Sequence, residues 1–252
     1  MAVKAKAAWS SAAARRLIEV AGGDLTLEDA IVRVVAQLRG SSSGPPTNLR
    51  EIGDQLGVEP WSAEPLPVAG ELRHEGGKLK IAYASGLPSG RRRFTIAHEL
   101  GHAFFERSGP RCPRRGKELE RICDLFAVEL LMPAAQIGEV FAPRTPDSVF
   151  EAAERFDVSI TAAMYRFAEL TRSQAVLDNG RQRSGTIRAL TVPHPGLDSL
   201  IDESRRNRQA EAVVRLDRNQ SWNGSWLVRA SNNARGHLVL VTARPVNPDS
   251  AP

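Results

Sequence analysis

One stretch of this 252-residue chain combines a helical apolar pattern with two histidines. Its apolar side chains repeat at three- and four-residue spacing at Phe94, Ala97, Leu100, Ala103 and Phe104. This spacing predicts one amphipathic helix that starts near Ser89 and ends before Gly109-Pro110. The same helix carries His98 and His102, and histidines four residues apart present their rings on one face.

The segment His98-Glu99-Leu100-Gly101-His102 predicts a zinc site. Two imidazoles about one helical turn apart suit two corners of a tetrahedral zinc ion. Glu99 is rotated by about 100° around the helix from His98, so its carboxylate can reach a water molecule rather than the metal itself. We therefore predict that His98 and His102 bind zinc and that Glu99 is the catalytic residue. A chain of this length folds without a metal, so the zinc should serve chemistry.

Such a zinc ion needs a third protein ligand and keeps its fourth position for water. Some zinc sites of this kind place a third histidine six residues after the second. Here Ser108 stands at that position, and the other histidines are isolated in the sequence. The third ligand should therefore be a carboxylate from another helix. The candidates are Glu106, Glu118, Glu120, Asp124 and Glu129.

Two of these carboxylates lie four residues apart on a helix predicted over roughly 116–132. Glu120 and Asp124 flank the apolar stripe of that helix, where a carboxylate is unfavourable unless a cation receives it. Their spacing suggests that Glu120 binds zinc and that Asp124 accepts a hydrogen bond from a ligand histidine, which fixes its tautomer. Glu129 remains the alternative third ligand.

The chain before this region is predicted to begin with helices. Residues 11–39 have the spacing of two helices, and the Gly-, Ser- and Pro-rich tract 40–46 is typical of a linker. Thr47 is expected to cap a helix that runs through Leu56. Short strands follow, with a hairpin turn at Gly76-Gly77.

The second half continues with a helix pair over 150–156 and 160–170, a polar candidate linker over 178–187, and strand-like segments among Gly- and Asn-rich turns. The predicted fold class is α+β. The predicted domains are an N-terminal helical extension and linker (1–44), a domain with the predicted zinc site and the helical hairpin (45–175) and a small C-terminal α/β appendage of unknown role (176–252).

The sequence resembles the ImmA/IrrE metallopeptidases, which are zinc proteins of the gluzincin type. The segments that carry the resemblance are PPTNLREIGDQLGVEPW, GELRHEGGKLKIAYASGLPSGR, RRRFTIAHELGHAFF and ELERICDLFAVELLMP. It covers about residues 45–170. Two departures occur: Phe105-Glu106 stands where family members often carry a histidine, and Cys123-Asp124 where they often carry Ala-Asn or Ala-Asp.

The resemblance implies a zincin-like core, in which a small sheet accompanies the HExxH helix and a glutamate helix. It implies that His98 and His102 bind zinc, that Glu99 is the catalytic glutamate and that Glu120 takes the third-ligand position. It also implies a cytoplasmic regulatory endopeptidase that cleaves a helix-turn-helix transcriptional repressor in a stress or mobile-element response.

Direct nucleic-acid binding is not favoured. The net charge of +5 comes from 34 Lys and Arg against 29 Asp and Glu, which is compatible with nucleic-acid contact without arguing for it. The lengths and spacing of the helix pair resemble those of a helix-turn-helix. Its second helix, however, offers Arg166 as the sole cation before Arg172, which leaves few charges for phosphate contacts. A structural helical hairpin is the preferred interpretation, and a DNA-binding regulator or a non-hydrolytic interaction protein on the same scaffold is the alternative function.

The two thiols and the apolar pattern bear on compartment and regulation. With Cys112 and Cys123 as the only cysteines, a reducing cytoplasm is expected. Both lie near the loop between the two predicted metal helices, and a thiolate that took the open zinc position would block it. No apolar run approaches the roughly 20 residues that cross a bilayer, so no membrane association is expected. Nothing in the sequence indicates an oligomeric state.

Overall fold

The helix predicted around the two histidines spans Ser89–Arg107 in the structure, which is a computed structural model. The structure describes Trp9 and residues 11–40, 44–109, 116–142, 144–186, 195–216, 224–232 and 239–245. The chain forms two compact units: one runs to Gln136 and takes in residues 156–158, and the other comprises residues 137–155 and those from Ser159 onward. The domain boundaries expected after residues 44 and 175 stay predictions.

The first unit combines helices with a three-stranded sheet. Its helices are α1 (Ala12–Val20), α2 (Leu27–Arg39), α3 (Leu49–Gln55), α4 (Ser89–Arg107) and α5 (Lys117–Leu131). Its strands are β1 (Val58–Glu64), β2 (Gly70–Glu75) and β3 (Lys78–Ala84). The strand order is β1-β3-β2, with β1 parallel and β2 antiparallel to β3. The hairpin predicted at Gly76-Gly77 joins β2 to β3 and is confirmed.

Apolar packing between α4 and α5 forms much of the core of this unit. Phe105 from α4 and Ile122 and Phe126 from α5 are fully buried. The ring of Phe104 stacks on that of Phe126 with centroids 5.8 Å apart. Burying a side chain of this size stabilises the fold by about 1.5–3 kcal/mol. The same packing therefore holds together the two helices that carry the predicted metal residues.

The N-terminal helices attach to α5. Both α1 and α2 pack against this helix. The backbone N–H of Ser11 donates to Glu118 at 2.9 Å, and the guanidinium of Arg121 lies 5.1 Å from the centroid of the Trp9 ring. The residues that precede the predicted peptidase segment thus form part of the first unit.

The helix cap predicted at Thr47 is wrong. Asn48 is the N-cap of α3, and its side chain accepts a hydrogen bond from the backbone N–H of Arg50 at 3.1 Å. Thr47 is buried, and its hydroxyl donates to the carbonyl of Leu130 at 2.8 Å. Leu130 lies in the last turn of α5, where carbonyls lack partners within the helix. Thr47 therefore caps the end of α5 rather than the beginning of α3.

The second unit is built around a five-stranded antiparallel sheet in the order β5-β4-β8-β7-β6. The strands are β4 (Gln174–Asp178), β5 (Arg183–Gly185), β6 (Gln209–Leu216), β7 (Gly224–Asn232) and β8 (Val239–Pro245). The remaining helices are α6 (Ala134–Val140), α7 (Pro146–Arg155), α8 (Ile160–Thr171) and α9 (Pro195–Asn207). The side chains of Leu197, Leu200 and Ile201 on α9 pack with Val228 and Val241 of the sheet in a buried core.

The linker predicted over 178–187 is also wrong, because β4 and β5 pair there as a hairpin. The Asp178 carboxylate closes this hairpin by accepting hydrogen bonds from the Gly180 N–H at 2.8 Å and the Arg183 Nε at 2.7 Å. The polar residues that are typical of a linker thus form hydrogen bonds within a sheet. Among the described residues, none of the helices combines the length and apolar character needed to cross a bilayer.

We predict that Thr47→Val destabilises the first unit by about 1–3 kcal/mol, because the Leu130 carbonyl loses a buried hydrogen-bond donor while the side-chain shape is retained. Denaturant unfolding followed by circular dichroism would measure this loss. Thr47→Ser keeps the hydroxyl and is the matched control. Equal unfolding free energies for Thr47→Val and the parent chain would contradict the assigned cap.

Candidate metal centre

Helix α4 presents two imidazoles on one face. His98 and His102 are one helical turn apart, and their ring centroids lie 5.0 Å from each other. His102 is buried, and the side chain of His98 is 16% exposed. The buried apolar residues of α4, including Leu100 and Phe105, hold this helix against its neighbours. Its histidines therefore come from a firmly packed element.

Helix α5 comes close to α4 at Gly101, a residue that sequence analysis placed in the motif without giving it a role. A Cβ at this position would stand 3.3 Å from the Cα, Cβ and Sγ of Cys123. The missing side chain allows the two helices to approach this closely. Cys123 lies between Glu120 and Asp124 on α5, so this contact brings both carboxylates opposite the histidines. The sequence could have indicated this contact, because a glycine inside a strongly periodic helix often marks a place where another element packs closely.

Three ligand atoms from these helices form a compact triangle. The Nε2 atoms of His98 and His102 are 3.2 Å apart. The Oε2 of Glu120 lies 3.2 Å from His98 Nε2 and 3.5 Å from His102 Nε2. Two ligands of a tetrahedral metal ion, each about 2.05 Å from it, are separated by about 3.3 Å. The spacing and the two-nitrogen, one-oxygen chemistry of these donors therefore fit a metal ion.

Asp124 contacts the other nitrogen of His98. Its Oδ1 lies 2.9 Å from His98 Nδ1. An ionised carboxylate only accepts hydrogen bonds, so this contact favours the tautomer with the proton on Nδ1, which leaves the Nε2 lone pair for a metal ion. The contact predicted from the spacing of Glu120 and Asp124 is thus present in the structure.

The charges around His98 change its proton affinity. Burial by itself lowers the pKa of His98, but the hydrogen bond to Asp124 and the negative charges of Glu99, Asp124 and Glu120 outweigh it. The pKa of His98 therefore lies above its ordinary value. The same negative charges that favour a proton on this ring would favour a metal cation beside it.

Glu99 does not join the triangle of ligand atoms. It is buried, and the Cγ of its side chain lies towards Gly70, the first residue of β2. Its negative charge still acts on His98, as the raised pKa of that histidine indicates. Glu99 thus lies beside the triangle and not within it, and its catalytic role stays a prediction.

The other carboxylate candidates lie elsewhere in the first unit. Glu106 pairs with His74 at 3.5 Å. Glu118 accepts the Ser11 N–H at 2.9 Å. Glu129, the alternative third ligand, is buried and accepts the backbone N–H of Ala134 at 3.1 Å. The structure thus brings Glu120, and not Glu129, to the two histidines.

The cysteines and the helical hairpin add little to this centre. Cys123 is fully buried and does not belong to the group of ligand atoms. Cys112, the other cysteine whose thiolate could block an open zinc position, lies outside the described residues. On the hairpin, Arg166 is 6% exposed and its Nη1 donates to Glu169 at 2.9 Å. A buried, paired arginine cannot supply the phosphate contacts that a DNA-reading helix needs.

Comparison with known proteins gives matches to one protease family. Residues 66–168 match the family model of the IrrE N-terminal-like domain, peptidase M78. The chain is 36% identical to the radiation response metalloprotease IrrE of Deinococcus radiodurans over 172 residues, which cover 63% of this chain and 45% of that protein. It is 38% identical to the radiation response metalloprotease IrrE of Deinococcus deserti over 96 residues, which cover 32% of this chain and 33% of that protein. The chain therefore matches less than half the length of either relative.

A solved structure shares the fold of the chain. The likeness to a Mycobacterium tuberculosis transcriptional regulator covers 92% of this chain and 80% of that one, with a TM-score of 0.52 and 15% sequence identity. At this identity the likeness concerns the fold alone.

We predict that His98→Ala, His102→Ala and Glu120→Gln each abolish stoichiometric metal binding, because each removes one corner of the triangle. Isothermal titration calorimetry with Zn²⁺ would measure this. Glu129→Gln is the matched control, since glutamine keeps an oxygen that can accept the Ala134 N–H. Loss of binding in Glu129→Gln together with full binding in Glu120→Gln would contradict the assignment of Glu120.

We predict a smaller effect for Asp124→Asn. The amide can no longer act as a charged acceptor for His98 Nδ1, and changes of this kind weaken metal affinity by about 10- to 100-fold. Competition with a chromophoric zinc chelator would measure the dissociation constant. An affinity equal to that of the parent chain would show that Asp124 does not orient the ring.

Proposed function

Because this chain belongs to the ImmA/IrrE family, we propose that it is a zinc-dependent endopeptidase. The observation that carries this proposal is the triangle formed by His98 Nε2, His102 Nε2 and Glu120 Oε2, with sides of 3.2 to 3.5 Å. The proposal extends the protease activity named for two relatives to a chain that matches only part of their length.

The donor set fits zinc, and its two histidines have the HExxH spacing of zinc peptidases. Two imidazoles and one carboxylate are a ligand set of catalytic zinc sites, which keep a fourth position open. When bound, zinc would supply a Lewis acid that polarises a peptide carbonyl and lowers the pKa of water to about 7. We further propose that the three-stranded sheet, α4 and α5 together form a zincin-like core around this ion.

Glu99 is the proposed catalytic residue. Its carboxylate would accept a proton from the attacking water and later deliver that proton to the leaving amine. The residue is 6% exposed, so its carboxylate is shielded from bulk solvent. Asp124 would hold the His98 ring through Nδ1, so that Nε2 stays directed at the metal.

The proposed substrate is a helix-turn-helix transcriptional repressor, cleaved at a specific site in a stress or mobile-element response. This part rests on the family resemblance and on the radiation response named for the two Deinococcus proteins. Such a substrate would be met in the cytoplasm. One alternative, a DNA-binding regulator, has less support because Arg166 of the hairpin is buried and paired. The other alternative, a non-hydrolytic interaction protein on the same scaffold, is distinguished from the endopeptidase by the cleavage test below.

We predict that Glu99→Gln retains one zinc per chain but loses cleavage by at least about 100-fold, because the amide cannot accept the proton. The test is mass spectrometry of new termini in helix-turn-helix repressors encoded beside this chain, together with metal analysis. Glu106→Gln makes the same change on the same helix at the His74 pair and should leave cleavage intact.

Each result has a distinct meaning. Full cleavage by Glu99→Gln would remove this residue from the reaction. A parent chain that binds zinc and cleaves none of these repressors would favour the non-hydrolytic interaction protein. Salt-dependent DNA binding with no cleavage would favour the regulator.

A further inference from the structure

We propose that Gly70 is a positioning residue for Glu99, so that the missing side chain at the start of β2 sets the place of the catalytic carboxylate. The inference rests on the proposed peptidase function for its kinetic consequences. Its geometric basis is independent of that function. Nothing in the sequence pattern around Gly70 had marked it as part of the site.

Gly70 packs directly against the face of α4 that carries Glu99. A Cβ at position 70 would stand 3.6 Å from the Cγ of Glu99, which is ordinary van der Waals contact. The same Cβ would stand 2.4 Å from the Cγ2 of Thr95 and 3.2 Å from the carbonyl oxygen of Ala82. Carbon atoms that touch are about 3.5–4.0 Å apart, so an alanine at position 70 cannot fit without movement.

The neighbours of Gly70 leave little room for adjustment. Thr95 lies one helical turn before Glu99 on the same face of α4 and is 4% exposed. Its side chain is branched at Cβ, which limits its rotamers. The Ala82 oxygen is backbone in the central strand β3. An added methyl group therefore has to push β2 away from α4, move the Thr95–Glu99 turn away from β2, or turn the Thr95 side chain to its second helical rotamer. We expect the second of these movements, which displaces Glu99.

The metal ligands lie on a different side of α4. His98 and His102 face α5, where Glu120 and Asp124 approach them. Atoms of Thr95 and Glu99, and none of the histidine rings, are among the three nearest to a Cβ at position 70. A methyl group there should accordingly displace the catalytic carboxylate while the three ligand atoms stay in place.

The test is Gly70→Ala, with kinetics on a repressor that the parent chain cleaves. Misplacement of a reacting group by about 1 Å reduces rates by up to about 100-fold. We expect kcat to fall by about 10- to 100-fold, with an unchanged KM and one zinc per chain. The double variant Gly70→Ala/Thr95→Ala removes the closest clash and should recover kcat towards that of Thr95→Ala alone.

The matched control is Gly138→Ala on α6. A Cβ at position 138 would meet nothing within 4 Å, so the same substitution adds a methyl group without a clash. Its kcat should equal that of the parent chain. Thermal unfolding of all variants would separate a displaced carboxylate from a destabilised fold, because only a destabilised fold lowers the melting temperature. Recovery of activity in the double variant would show that the clash with Thr95 is the cause.

Crystal structures of the parent chain and Gly70→Ala supply a readout that needs no substrate. We expect the Glu99 carboxylate to move by about 1 Å relative to His98 Nε2. An unmoved Glu99, an unchanged kcat, or zinc lost together with activity would each overturn the proposal. If the parent chain cleaves nothing, the peptidase function fails, and the position of Glu99 in the two structures still decides the role of Gly70.

Discussion

The contact between α4 and α5 at Gly101 and Cys123 is the constraint on which the metal centre depends. A helix pair held this close has one register, because any shift would place a larger side chain against the Cys123 backbone. In that register Glu120 meets both histidines and Asp124 meets the far nitrogen of His98. The apolar core formed by Phe104 and Phe126 then keeps the register fixed.

Two faces of α4 carry different residues of the candidate site. The face towards α5 carries the imidazoles, and the face towards the sheet carries Thr95 and Glu99. A helix can hold the candidate ligands and the proposed catalytic carboxylate on separate faces in this way, because adjacent residues point about 100° apart. Since both faces are packed, the carboxylate and the ligand atoms are held by different neighbours. A change on one side therefore need not disturb the other.

Much of this centre could be predicted from the sequence, because the helix period and the four-residue spacings are local properties. The periodic apolar residues identified α4 and α5, and the spacings identified His98, Glu99 and His102 as one group. The choice between Glu120 and Glu129 could not be made locally, since it depends on where α5 crosses α4. The contact of Gly70 with α4 could not be predicted for a similar reason, because Thr95, which lies next to Gly70 in space, is distant from it in the sequence.

The two wrong predictions about the fold, the cap at Thr47 and the linker over 178–187, have the same physical origin. Thr47 and Asn48 are both good helix caps, and the distant Leu130 carbonyl determines that Thr47 serves α5. The polar residues after Asp178 resemble a linker until the buried carboxylate accepts their hydrogen bonds. In both places a tertiary hydrogen bond overrides a local preference.

The exposure of the four residues around the triangle differs strongly from one side to the other. The His102 side chain is 5% exposed, whereas those of Glu120 and Asp124 are 47% and 55% exposed. A metal ion held here would therefore be shielded from solvent by His102 on one side and open to solvent beside Glu120 and Asp124 on the other. Solutes that compete for the ion, such as chelators, would reach it first past the two carboxylates.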